Sequence, residues 1–244
     1  MFQKKYYYAL LLAVPLCLVN FIARAADTIQ VTGITAPLND VALGFPDAGI
    51  IHTEFFQEGD SVKKGDVILE LDKNLEAIEV TRTKAVMDQN QKVYESTLQL
   101  FQNTKSVSQQ DLDKAEAEYH VATAQYESAA QSLTNRLLIA PFSGTITDIS
   151  LKPGSVVAPY SPFVRLVDTS QCYFIGHVDG VTAAKLQLDE PVQLTVDGGQ
   201  TVSGKICFVS PVVDAASGLA RMKAIFDNPD GKIRPGVSAT LTVQ

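Results

Sequence analysis

Tryptophan is absent from the 244 residues, and methionine, cysteine and histidine occur three times each. His52, His120 and His177 fall in three different segments, and none has a cysteine or a second histidine at the spacing of metal ligands. The methionines do not form a copper-binding cluster, and the sequence contains neither a phosphate-binding loop nor a nucleophile elbow. We therefore predict no catalytic residue, no cofactor and no metal site.

Positive charge is also scarce. The chain has 20 Lys and Arg against 27 Asp and Glu, a formal net charge of −7. An acidic chain lacks the electrostatic footprint of a nucleic-acid-binding protein. We therefore expect no nucleic-acid partner.

A long apolar run occurs only near the start of the chain. Residues 1–25 combine a basic pair, Lys4–Lys5, an apolar run, Tyr6–Val19, and small residues at Ala23–Ala25, which is the pattern of a secretory signal peptide. The run is shorter than the roughly 20 residues of a comfortable membrane span. We predict cleavage after Ala25, with an uncleaved signal anchor as the alternative.

Two cysteines follow that segment, Cys172 and Cys207, on separate strand-like runs. In an oxidising compartment they could form a disulfide. Two buried free thiols are equally consistent with the sequence. The sequence leaves both possibilities open.

Glycine and proline are both missing from residues 73–135, which predicts helix over that length. Large residues and alanines each recur there every seven positions, which is typical of the a and d positions of a coiled-coil seam. The predicted seam of the second half is Leu112, Ala115, Tyr119, Ala122, Tyr126, Ala129 and Leu133. The first half repeats with the same period at Val80, Met87, Tyr94 and Phe101.

The helical segment is interrupted near residues 103–106. Ser108 and Asp111 then have the spacing of a capping box that opens a second helix. We therefore predict an antiparallel helical hairpin, whose arms of about 30 residues form a rod roughly 45 Å long.

The segments on either side of the hairpin are similar at an offset of 95 residues. The matching pairs are Gly49 and Gly144, Gly59 and Gly154, Val62 and Val157, Ile68 and Phe163, and Leu71 and Leu166. Each copy, residues 38–72 and 136–168, has short strands separated by glycine turns. Two half-motifs that cannot bury their apolar faces alone predict one small domain with pseudo-two-fold symmetry.

Strand-like runs in residues 169–244 predict a small antiparallel β-barrel, to which residues 28–37 can add a strand.

The stretch GDSVKKGDVILELD, residues 59–72, precedes Lys73 in the manner of a lipoyl or biotinyl attachment site. Carrier domains present that lysine on a tight hairpin turn, whereas here the chain continues into the predicted helix. The register of the lysine relative to the Gly-Asp turn also differs. We interpret Lys73 as a solvated residue of the first helical turn, and we keep a lipoyl or biotinyl carrier as an alternative function.

Four stretches carry a resemblance to known proteins, namely GIIHTEFFQEGDSVKKGDVILELD, SVSQQDLDKAEAEY, LLIAPFSGTITDISLKPGSVVAPYSPFVRLVD and GKICFVSPVVDAASGLARMKAIFDNPDGKIRPGVSATLTV. They resemble one family, the periplasmic adaptor subunits (membrane fusion proteins, HlyD family) of bacterial tripartite efflux systems. The third and fourth are most similar to adaptors of resistance-nodulation-division (RND) pumps. The resemblance implies a mixed α and β fold: a split lipoyl-like domain with an inserted α-hairpin, followed by a β-barrel. Because the chain stops soon after Pro235, we expect no complete membrane-proximal domain.

The resemblance also implies a location and partners. The protein would lie in the periplasm, associated with the inner membrane, and would bridge an RND-type inner-membrane transporter to a TolC-like outer-membrane channel. Copies of the chain would assemble into a ring. An envelope scaffold without a transport role is a further alternative.

The resemblance implies that the hairpin tip docks on the outer-membrane channel. Family members often have an arginine, a leucine four residues later and a serine seven residues after that. Here those positions hold Thr97, Phe101 and Ser108, so the arginine is missing. The predicted partner-binding residues of the tip are Phe101, Ser106, Val107 and Ser108. The alternative for this tip is a solvated loop without a partner.

Overall fold

The computed structural model describes residues 28–243, so the predicted signal peptide lies outside the described residues. Within them, none of the helices is long and apolar enough to cross a membrane.

The strands in chain order are β1 (Ile29–Leu43), β2 (Gly49–Glu54), β3 (Ser61–Val62), β4 (Val67–Leu71), β5 (Leu137–Ile139), β6 (Gly144–Ile149), β7 (Val156–Val157), β8 (Val164–Asp179), β9 (Pro191–Val196), β10 (Gln200–Val209), β11 (Leu219–Asp227) and β12 (Ser238–Val243). The helices are α1 (Asn74–Asn103), α2 (Gln109–Thr134) and the short α3 (Gly180–Ala183).

Six antiparallel strands close into a barrel in the order β1-β12-β9-β10-β11-β8, and β8 pairs back to β1. Alternating residues of these strands fill the interior, including Phe174, Leu194, Met222 and Leu241. Closure leaves no unpaired edge that could template aggregation. Gly33 and its strand partner Gly176 are required by packing, because a Cβ on Gly33 would lie 2.7 Å from the Phe174 ring.

The lipoyl-like domain has the pseudo-two-fold symmetry that the 95-residue offset predicts. β2 pairs with β7 of the other half, and β3 pairs with β6. The amide of Gly59 donates to the Ile146 carbonyl at 2.8 Å, and the amide of Gly154 donates to the Ile51 carbonyl at the same distance. Ile51 and Ile146 are both completely buried in the shared core. Neither half could bury this core alone, which explains why the two motifs recur.

Two long strands join the domains. β1 and β8 pair along the barrel and continue into the lipoyl-like domain, with an irregularity between Pro37 and Asn39. β6 then pairs with the first residues of β8. Both strands therefore continue from one domain into the other, although their pairing shifts register at the junction.

The helical hairpin leaves the lipoyl-like domain between β4 and β5. The main packing partner of α1 is α2, and neither helix contributes a residue to the two β cores. The mixed fold predicted from the sequence, a split lipoyl-like domain with an inserted hairpin and a following barrel, is confirmed.

Both described cysteines are free thiols. Cys172 lies inside the barrel, where burial raises its thiol pKa. Cys207 is exposed on β10, at the irregularity between Ile206 and Phe208. The disulfide that the sequence left open is not formed.

Candidate functional site

The hairpin seam lies where the heptads place it. Leu112, Ala115, Ala122 and Ala129 are the buried residues of α2. The other predicted seam residues are half-buried, namely Tyr119, Tyr126 and Leu133 on α2 and Val80, Met87, Tyr94 and Phe101 on α1. The ring of Tyr94 stacks on that of Tyr119 across the seam. A narrow apolar seam with alanines lets the two helices approach closely along the rod.

A polar row on α1 was missed by sequence reasoning. Thr83, Asn90 and Thr97 recur every seven residues, and Thr83 is only 3% exposed. The Thr83 hydroxyl donates to the Glu79 carbonyl at 2.8 Å, so its burial leaves no unsatisfied donor. The seven-residue spacing of these polar residues could have identified the row, but a heptad is usually recognised by apolar residues alone.

The predicted capping box forms the entry to α2. The Ser108 Oγ accepts a hydrogen bond from the Asp111 amide, and the Asp111 carboxylate accepts one from the Ser108 amide, both at 3.2 Å. The Ser108 hydroxyl also donates to that carboxylate at 2.6 Å. These bonds hold the pKa of Asp111 below its usual range. The turn between the helices is tight, and Lys105 takes a positive φ of 48°.

The four predicted tip residues are brought together at this turn but differ in what they offer. Phe101 and Val107 are half-buried, whereas Ser106 and Ser108 are exposed. The Ser106 hydroxyl shares a 2.7 Å hydrogen bond with Thr104, and that of Ser108 is engaged in the cap. The hydroxyls of both serines are therefore engaged within the tip, and its apolar contribution is the partly exposed surface of Phe101 and Val107.

One side of the hairpin carries exposed apolar residues that are not among the predicted seam or tip residues. On α1, Val86, Val93 and Leu100 recur every seven residues outside the seam and are 37%, 45% and 46% exposed. On α2, Val121 and the small Ala117 line a shallow groove together with Val86. We call these five residues the apolar flank. Its heptad spacing matches the surface that a further helix would pack against.

Lys73 lies immediately before α1 rather than on a hairpin turn. Its Nζ forms an ion pair with Glu70 at 2.7 Å. Asp72 accepts a hydrogen bond from the Asn74 amide at 3.1 Å as the helix begins. Across residues 28–243 there is also no group of three His, Cys, Asp or Glu side chains that could hold a metal ion.

Two domain families cover most of the chain. Residues 46–167, half of the chain, match the barrel-sandwich hybrid domain of RND membrane fusion proteins. Residues 167–244 match the β-barrel domain of RND membrane fusion proteins. The boundary between the two matches lies in β8, the strand that the two domains share.

Curated relatives have related sequences. An uncharacterized protein of Haemophilus influenzae is 29% identical over 218 residues, covering 88% of this chain and 57% of the relative. The multidrug resistance protein MdtE of Escherichia coli K12 is 27% identical over 244 residues, covering 88% of this chain and 63% of MdtE. The chain thus spans about three fifths of the length of these relatives.

Solved structures share the fold. A MacA–MexA chimera containing the Pseudomonas aeruginosa MexA α-hairpin domain superposes with a TM-score of 0.75 at 22% identity, covering 89% of this chain and 81% of the chimera. MacA from Actinobacillus actinomycetemcomitans gives a TM-score of 0.59 at 19% identity, covering 89% and 78%. Together with the two domain matches, these findings confirm that the chain belongs to the RND-type membrane fusion proteins, the periplasmic adaptor family.

Proposed function

We propose that this chain is the periplasmic adaptor of an RND-type efflux pump, which bridges an inner-membrane transporter to a TolC-like outer-membrane channel and so supports export. The main support for the proposal is the length of the hairpin and its independence from the β cores. A two-helix hairpin of 30 and 26 residues extends from a β module to which it adds no core. A long helical pair that does not stabilise its own domain is suited to reach a distant partner.

The tip is the proposed channel contact. Phe101, Val107 and the exposed Leu100 supply apolar area at the end of the rod. The cap at Ser108 and the turn at Lys105 hold these side chains in a fixed arrangement, which reduces the entropy cost of binding. A helical partner that inserts apolar residues between these side chains fits this surface.

The apolar flank is the proposed contact between neighbouring copies. Val86, Val93 and Leu100 form a second heptad row beside the seam. If hairpins of a ring stand side by side, this row can pack on the next hairpin and remove the exposed apolar area from water. The flank thus supports the assembly of copies into a ring.

Crosslinking in cells tests the proposal. A photoreactive amino acid at Phe101 is expected to yield an adduct with the outer-membrane channel, identified by mass spectrometry, in cells that export the pump's substrate. The same label at Thr201, exposed on β10, serves as the control. Two results together would favour the scaffold alternative over the adaptor. The label at Phe101 would yield only adducts between copies of this chain, and deletion of the gene for this chain would leave export intact.

The carrier alternative is tested separately by intact mass. A lipoyl or biotinyl group requires Lys73 to protrude from a turn, whereas its Nζ is paired with Glu70 and the chain continues directly into α1. We expect the purified mature protein to have its unmodified mass. An adduct on Lys73 would support the carrier instead.

A further inference from the structure

The hairpin is joined to the lipoyl-like domain by two very short connections. Only Asp72 and Lys73 separate β4 from α1, and only Asn135 and Arg136 separate α2 from β5. The Leu71 amide donates to the Arg136 carbonyl at 2.9 Å, which ties the two connections together. Short connections limit how far the rod can swing, but their backbone torsions alone do not fix one direction.

Side chains at this point bind the hairpin to the loop before β2. The Arg136 guanidinium donates from Nη1 to the Ala48 carbonyl at 2.7 Å and from Nη2 to the Glu76 carboxylate at 2.6 Å. The Asn135 amide donates to the Asp47 carboxylate at 3.1 Å. We call these five residues the root clasp. Glu76 lies in the first turn of α1, so one arginine connects both helical arms to the β domain.

The environment of the root clasp makes these bonds effective. The Arg136 and Glu76 side chains are each 19% exposed, so salt and water screen their attraction less than that of a surface pair. A planar guanidinium offers fixed donors to two different acceptors at once, unlike the rotatable ammonium of a lysine. Gly49 leaves the space for it, because a Cβ there would lie 2.9 Å from Nη1.

The length of the rod makes its direction sensitive to this point. A helix of about 30 residues is roughly 45 Å long, so a turn of about 10° at its base moves the tip by about 8 Å. That displacement is comparable to the distance between the axes of two packed helices, ~8–10 Å. An adaptor whose rod swings freely by this amount would present its tip to the wrong groove of a partner.

We infer that Arg136 is a positioning residue, which through the root clasp holds the hairpin in one direction relative to the β domains so that the tip meets its partner pre-aligned. The inference rests on the proposed function, in which the tip must reach a distant channel. It adds that the alignment is built into the free protein, without help from neighbouring copies.

Pulsed electron–electron double resonance, which measures the distance between two spin labels, tests the inference on the purified full chain. Spin labels at Gln102→Cys, near the tip, and at Thr201→Cys, exposed on β10 of the barrel, report the hairpin direction. Cys17 and Cys207 are replaced by serine, and Cys172 is fully buried and stays unlabelled. We expect one narrow distance distribution in the parent protein, and a clearly broader distribution in Arg136→Met.

The matched control is Arg82→Met. Arg82 pairs with Glu79 at 2.6 Å on the surface of α1, so its loss removes an arginine–glutamate ion pair of the same length without touching the root clasp. We expect the parent distribution in this variant. Asn135→Ala removes the bonds to Asp47 and Gln131 and leaves Arg136 in place. It is expected to broaden the distribution less than Arg136→Met, and it serves if that variant does not fold.

The readouts separate positioning from stability. A merely structural Arg136 would lower the melting temperature and leave the distance distribution narrow, which would overturn the inference. Full export by an Arg136→Met variant with a broad distribution would also overturn it. If the parent chain itself supports no export, the proposed function fails, whereas the distance measurement still decides whether the root clasp sets the direction of the rod.

Discussion

The rings of Tyr94 and Tyr119 stack across the hairpin seam, with their centroids 6.0 Å apart and their planes 4° from parallel. Because the helices are antiparallel and both follow heptads, this contact fixes the register of the whole rod. One heptad towards the base, Met87 lies level with Tyr126, and one heptad towards the tip, Phe101 lies level with Leu112.

A double-mutant cycle tests this register. Tyr94→Leu and Tyr119→Leu each remove one ring, and the coupling free energy from the two single variants and the double variant is expected to be about 0.5–1.5 kcal/mol in favour of the pair. Unfolding of the hairpin by urea, followed by circular dichroism at the helix band, gives the four free energies. Tyr94 and Tyr126 lie in different layers and provide the control cycle, whose coupling should be close to zero.

Much of the architecture could be predicted because it depends on local composition. The lack of glycine and proline in residues 73–135 marked the helices, and the seven-residue spacing of Ala115, Ala122 and Ala129 marked the buried seam. The 95-residue offset located two equivalent halves, since the same turn needs a glycine in each, at Gly59 and Gly154. These features follow from backbone propensity and from burial on one face.

The rest depends on contacts between residues distant in the sequence. Asp47 and Asn135 are 88 residues apart, and no local pattern brings them together at the root clasp. Closure of the barrel likewise needs β1 to pair with both β8 and β12. At the tip, the sequence pattern indicated Ser106 and Ser108. It did not indicate that the hydroxyls of both serines form hydrogen bonds within the tip.

The capping box gives the hairpin an acid-sensitive end. Because the folded-state pKa of Asp111 is below its usual range, the cap stabilises the hairpin fully above the ordinary aspartate pKa of about 3.9. That stabilisation is lost as pH falls through the lower, folded-state pKa. We expect Ser108→Ala to lower hairpin stability at neutral pH and to flatten this acid dependence, measured by helix melting between neutral and acidic pH. Asp113→Asn, a change in the same turn outside the cap, should retain the acid dependence of the parent.

The pseudo-two-fold symmetry predicts equal costs at equivalent glycines. Gly59 and Gly154 have φ of +94° and +90°, and a Cβ at either position would meet no atom within 4 Å. The cost of Gly59→Ala and of Gly154→Ala is therefore backbone strain alone, about 1–2 kcal/mol in each case. Equilibrium unfolding of the β domains measures both. A large effect from only one of the two would contradict the equivalence of the halves.

A charge in the seam should disable the rod and leave the β domains folded. Ala122 is 3% exposed at the centre of the seam, so a carboxylate there has no space between the two helices. We expect Ala122→Glu to destabilise the hairpin by about 2–3 kcal/mol, since an unpaired charge is forced towards an apolar seam. Both β cores exclude hairpin residues and should persist.

The matched control is Ala85→Glu, which adds the same charge on the exposed side of α1. Cells with this variant should export normally. Export assays and circular dichroism on both variants test the prediction. If Ala122→Glu melts the hairpin and export continues, the rod is not the bridge between the two membranes.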